Sequence, residues 1–262
     1  MRLVLLCTLV AVSACAHRQA APDAGTAAAE TLEIGGATFH LEYASEDADA
    51  ARQVARALAL AVPVAGRWGK LGQPVRITIH PTHRALEQAA RRLGYAWLRA
   101  WARYASIDLQ SPRTWSRGSA SDAAMAQLLA HELTHCVMYQ SAGSEEGWAS
   151  RRIPLWFREG MASVTAGEEG AAATAGARPP RPADTEALAA PAALYRDEAE
   201  RVYSTARDAF RAVLRRAGDD GVRRVIAVMR AGRRFPEAFE QALGIPLEAF
   251  EADVSGPALS QG

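Results

Sequence analysis

Residues 125–139 read MAQLLAHELTHCVMY. The stretch holds no proline or glycine, so nothing in it breaks a helix. On a helix, positions i and i+4 share a face, about 6 Å apart along the axis. His131 and His135 stand at that spacing, so each can direct a ring nitrogen at one ion. Glu132 lies about 100° round the helix from His131. It can reach a water on that ion without ligating it. Zinc takes imidazole and carboxylate ligands in a tetrahedron, and a catalytic site leaves one position for water. For these residues alone, the plain alternative is a pair of core histidines on an amphipathic helix.

A second stretch bears on that choice. Residues 154–162 read PLWFREGMA, and Glu159 follows His135 by 24 positions. A helix carrying Trp156, Phe157 and Ala162 on a buried face brings Glu159 inward. A lone carboxylate is costly there unless it is paired or bound to metal. Gly160 removes a side chain beside it, consistent with another backbone packing close. Two histidines and one carboxylate make up a catalytic zinc set. The alternative for Glu159 is a surface helix glutamate.

With both stretches, the sequence resembles the gluzincin zinc metallopeptidases, and especially the peptidase MA-like domains. In these a P-x-W-F-x-E-G-x-A segment follows the HExxH helix. The resemblance implies Zn²⁺ held by His131, His135 and Glu159, with Glu132 as general base, and a peptide or protein substrate. It also implies a tyrosine or histidine that donates to the oxyanion. Tyr203 is the candidate, with a core tyrosine as the alternative. Arg207, one turn further on, could bind a substrate carbonyl or carboxylate, and a solvated arginine is its plainer reading. Related gluzincins pair an edge strand with extended substrate, and by analogy Tyr104 to Gln110 is such an edge. The sequence departs from thermolysin-like enzymes one turn after the ligand glutamate. They supply an aspartate behind a metal-bound histidine, and this chain has Ser163. The carboxylate or carbonyl that such a histidine needs must then come from elsewhere.

The coarse pattern around these stretches is α+β. A small N-terminal mixed or antiparallel sheet with helices precedes the HExxH helix, and an all-helical part follows. Strands are predicted at 37–43, 75–80 and 104–110 from alternation. Helices are predicted at 48–68, 82–93 and from Ser119 or Ser121 to about 139. A short one follows Pro154, and others cover 195–216, 221–231 and 235–244, with a last one opened by Pro246. Residues 167–191, rich in Ala, Gly, Pro and charge, read as a mobile loop that could gate the cleft. His40, His80 and His83 match no ligand spacing and are taken as structural. Cys136 is taken as a packed thiol.

The first segment reads as an address. Residues 1–15 are MRLVLLCTLVAVSAC, a short positive start, an apolar run too short to span a bilayer, then small residues. Val12-Ser13-Ala14-Cys15 resembles a bacterial lipobox, which implies a signal over 1–14, a lipidated Cys15 and a membrane anchor of several acyl chains. An ordinary signal peptide is the alternative. The expected organisation is a tether over 15–31 and a peptidase domain over 32–253, with a sheet-containing half (32–140) and a helical half (153–253). The expected location is the bacterial cell envelope, by analogy the outer membrane facing the periplasm. Of three cysteines, only Cys136 would stay free of signal and lipid, so no intramolecular disulfide is expected.

Composition bounds the rest. The chain has 262 residues, 49% hydrophobic and 23% charged, with 30 basic against 29 acidic side chains. That suits a folded protein and offers no basic field for nucleic acid. The rival to a peptidase is an inactive zinc-binding lipoprotein of the envelope that grips peptide or protein. An intact Glu132 favours the enzyme, because a binding module needs no base there.

Overall fold

The computed structural model describes residues 27–115, 121–169, 180–189 and 192–255. The lipobox and Cys15 lie outside the described residues, as does Ser119, the alternative helix cap.

The described chain opens with a mixed five-stranded sheet. β1 (Ala27–Ile34) and β2 (Ala37–Ala44) form an antiparallel hairpin. Its turn is Gly35-Gly36, with φ of 58° and 78°. A two-residue turn between strands requires positive φ, which glycine adopts without Cβ strain. Residues 27–31, assigned to the tether by sequence, therefore belong to the sheet. Their run of alanines has weak strand propensity, and pairing with β2 overrides it.

Helix α1 (Ala48–Ala65) crosses to β3 (Val75–His80), which runs parallel to β2. Next come α2 (His83–Ala90), β4 (Ala100–Ala102) and β5 (Ser106–Gln110). The spatial order is β1-β2-β3-β5-β4, with β5 parallel to β3 and antiparallel to β4. The strand predicted at 104–110 is thus interior. The edge on that side is β4, three residues long and too short to show alternation. α2 also ends earlier than expected, at a left-handed Arg91 (φ 55°). Leu93, the last residue of the predicted helix, lies beyond it and is exposed.

Alternation along the strands sorts the sheet into two faces. Phe39, Leu41, Val75, Ile77, Ile79, Ile107 and Leu109 are buried in the main core with α1 and α3. The intervening positions are polar. There Asp108 meets His80 at 2.8 Å and also pairs with Arg103. Burial would raise the Asp108 pKa, but these two partners outweigh it and hold it below the usual range.

Helix α3 (Asp122–Ala142) carries HELTH. Ser121 caps it, accepting from the Ala124 N–H at 3.1 Å. Every residue from Leu129 to Gln140 is buried, so this helix is not amphipathic. It runs through the molecule with partners all round. Its C-terminal part is tied to the β4–β5 turn, where Gln140 Nε2 donates to the Tyr104 carbonyl at 3.0 Å.

The helical remainder comprises α4 (Leu155–Thr165), α5 (Thr185–Leu188), α6 (Ala192–Arg230), α7 (Phe235–Leu243) and α8 (Leu247–Val254). α6 joins the two helices expected at 195–216 and 221–231 across a kink at Gly218 (φ 60°). Trp156 and Phe157 of α4 sit among Phe210, Phe235, Phe239 and Phe250, with neighbouring ring centroids 4.8–6.3 Å apart. Such pairs add to burial through edge-to-face geometry. Part of the expected loop at 167–191 is ordered. Residues 182–188 are helical, and the Glu186 carboxylate accepts from the Leu155 N–H at 3.0 Å, at the start of α4. Residues 170–179 and 190–191 of that segment lie outside the described residues. None of the described helices is long and apolar enough to cross a membrane.

Candidate metal centre

α3 and α4 bring three side chains to one point. His131 Nε2 lies 3.2 Å from His135 Nε2. Glu159 Oε2 is 3.4 Å from the first and 3.6 Å from the second. The spacing on α3 sets the histidine pair, as i,i+4 geometry requires. Glu159 arrives because α4 lies close against α6. A Cβ on Gly160 would overlap the Ala206 carbonyl oxygen and stand 2.7 Å from Phe210 Cβ. Only glycine allows α4 to seat that deeply beside its glutamate.

This donor set fits a zinc ion. Four ligands at about 2.0–2.1 Å in a tetrahedron stand about 3.4 Å apart, close to the three separations found. Two imidazole nitrogens facing each other beside a carboxylate oxygen, all largely buried, form a cation site. One ligand atom from each of these three residues lies within 4.8 Å of the other two.

The surroundings match that use. Glu132, 7% exposed, lies near the backbone of Ala102 on β4, which favours its ionised form. Burial lifts its pKa above the ordinary carboxylate value, while His131 and His135 pull the other way. Burial likewise works against the charge on Glu159, yet His135 and His131 outweigh it and keep the carboxylate ionised.

The group missing from the sequence pattern is supplied by Glu168. Its Oε1 lies 2.9 Å from His131 Nδ1. Burial opposes a positive charge on His131, but Glu168 and Glu159 overcome it and raise that pKa well above the imidazole range. A carboxylate on Nδ1 fixes the tautomer and turns Nε2 toward the centre. Ser163, one turn after Glu159, makes no hydrogen bond of ordinary geometry, though it lies near enough to help hold Glu168 ionised. Glu168 sits in what reads as loop, and its only sequence signal is an acidic pair after the ligand helix. Glu168→Ala is expected to weaken zinc binding about 10- to 100-fold, with partial recovery in Glu168→Gln. A chelator competition titration reads this, and equal affinity in all three proteins would remove the role.

A cleft of about 720 Å³ opens on the centre. Tyr203 lines it, with its ring centroid 6.4 Å from that of His131. Arg207 also lines it and is buried rather than solvated, with Nη2 2.8 Å from Glu200 Oε1. Tyr139 stacks on His135 at 5.8 Å, which the sequence did not signal. Several residues named in the sequence stand apart from the centre. His40 bonds Thr31, His80 bonds Asp108, and His83 bonds Gln110. Cys136 is buried, its thiol directed at the Arg103 carbonyl.

Fold and site together define an α+β chain with a buried His/His/Glu cluster at the foot of a cleft. Among solved structures, it is similar to an aminopeptidase A from Legionella pneumophila, crystallised with aspartic acid. That likeness has a TM-score of 0.50 and 12% identity, over 86% of this chain and 27% of the other. An M1 zinc metallopeptidase from Deinococcus radiodurans is also similar, at TM-score 0.42 and 15% identity, over 90% of this chain and 54% of the other. The chain thus spans about a quarter of the first protein's length and about half of the second's. At these identities the first likeness is one of fold. No protein-family model and no curated protein matches the sequence.

Proposed function

We propose that this chain is a zinc-dependent metallopeptidase of gluzincin type that hydrolyses peptide bonds. The convergence of His131, His135 and Glu159 carries the reading, and Glu132 beside it supports turnover. A zinc ion held there would supply Lewis acidity, lowering the pKa of a water to about 7 and polarising a carbonyl. Glu132 takes the proton from the attacking water and delivers it to the leaving amine. Its placement favours that role, because burial and the two histidines act on its pKa in opposite directions. The Tyr203 hydroxyl stabilises the oxyanion from the cleft wall. Among the described residues no strand pairs with the outer side of β4, which lines the cleft and suits an extended peptide.

The lipobox reading extends the proposal. Cys15 carries the acyl chains, the tether holds the domain at the membrane, and the protein works in the bacterial cell envelope. The test is metal content of the purified full-length protein. About one zinc per chain is expected, lost in Glu159→Ala. A wild type that takes up no zinc after reconstitution would overturn the reading.

A further inference from the structure

One wall of the cleft is aromatic, and beyond the Tyr203 hydroxyl it has no part in the proposed metal chemistry. Trp97 stands edge-on to Tyr203, with ring centroids 6.1 Å apart. Tyr203 in turn stands 6.4 Å from His131. Trp97 is therefore one ring removed from the residue that touches the metal centre. Behind it Tyr95 packs at 5.6 Å. Tyr95, Leu98 and Leu155 belong to a second apolar cluster, separate from the main core, against which Trp97 and Tyr203 pack. That cluster fixes the wall in place. All five residues line the cleft.

We infer that this wall is a substrate subsite that selects peptides with an aromatic or large apolar side chain beside the scissile bond. The inference rests on the peptidase reading and names the substrate class of that same site. An aromatic side chain laid against Trp97 and Tyr203 loses water-exposed apolar area and gains edge-to-face contacts. The wall adjoins the centre through Tyr203, so the selected residue must flank the bond that is cut.

The test uses the full-length protein loaded with zinc and a Gly/Ala octapeptide in which one phenylalanine is moved through each position. Wild-type kcat/KM gives selectivity in turnover. Glu132→Gln gives selectivity in binding without turnover, read by tryptophan fluorescence. Phenylalanine at one position is expected to raise kcat/KM and tighten binding about tenfold or more over alanine. Trp97→Ala is expected to erase that ratio and Trp97→Phe to keep most of it. Cleavage with ratios within twofold at every position would overturn the subsite and leave the peptidase reading standing. Selective binding without turnover would keep the subsite and remove the peptidase reading. Tighter binding of chitotriose than of any phenylalanine peptide would overturn the inference in favour of a sugar. The wild-type ratios decide the matter even if Trp97→Ala does not fold.

Discussion

Glu132→Gln is expected to lower kcat/KM for a peptide substrate by about 10²- to 10⁴-fold, the range for loss of a positioned general base. It should leave the zinc in place. The carboxylate does not belong to the converging trio of His131, His135 and Glu159, so its charge is not needed to hold the ion. The amide is nearly isosteric and cannot accept the proton. β4 is held by its pairing with β5, so the strand beside Glu132 stays where it is. Zinc content and steady-state kinetics on the same preparation check this. Full activity would assign the base elsewhere, and loss of metal would make Glu132 part of the donor set.

Gly160→Ala is expected to destabilise the protein by about 3 kcal/mol and to disturb the metal centre with it. Helix propensity alone predicts the opposite sign, because alanine is favoured over glycine by about 1 kcal/mol in a helix interior. The clash decides. The new methyl would enter the space of the Ala206 carbonyl oxygen and stand 2.7 Å from Phe210 Cβ. The first of these is backbone inside α6, which cannot yield as a flexible side chain does. Overpacking of this kind costs about 1–3 kcal/mol and sometimes more. If α4 moves away to relieve the clash, Glu159 moves with it. Urea unfolding midpoints and chelator competition are the measurements. A variant as stable as wild type with unchanged zinc affinity would show that α4 has room the structure denies it.

Some of this molecule was legible in the residues alone. HELTH on a helix without breakers fixed the histidine pair, because i,i+4 spacing is a local property of the backbone. PLWFREGMA gave a buried short helix with a glutamate and a close-approach glycine, since aromatic residues and glycine speak locally too. Ser121, one of the two starts read for the HELTH helix, marked its beginning for the same reason. These are short-range signals, read from neighbours within a few positions.

What the sequence could not yield depends on contacts between distant segments. β1 forms from alanines that read as tether, because only pairing with β2 makes them a strand. β4 is three residues long, and its place at the edge follows from the order of all five strands. The all-round burial of α3 comes from helices and strands on every side, so its pattern carries no stripe to read. Arg207 looked solvated, yet it faces a cleft whose walls come from several elements. Glu168 is the sharpest case. It lies 37 positions from His131 in sequence and 2.9 Å from it in space, in a stretch whose composition reads as loop. Local propensity determined which residues could bind a metal, and only the packing of α3, α4 and α6 decided that they meet and what stands behind them.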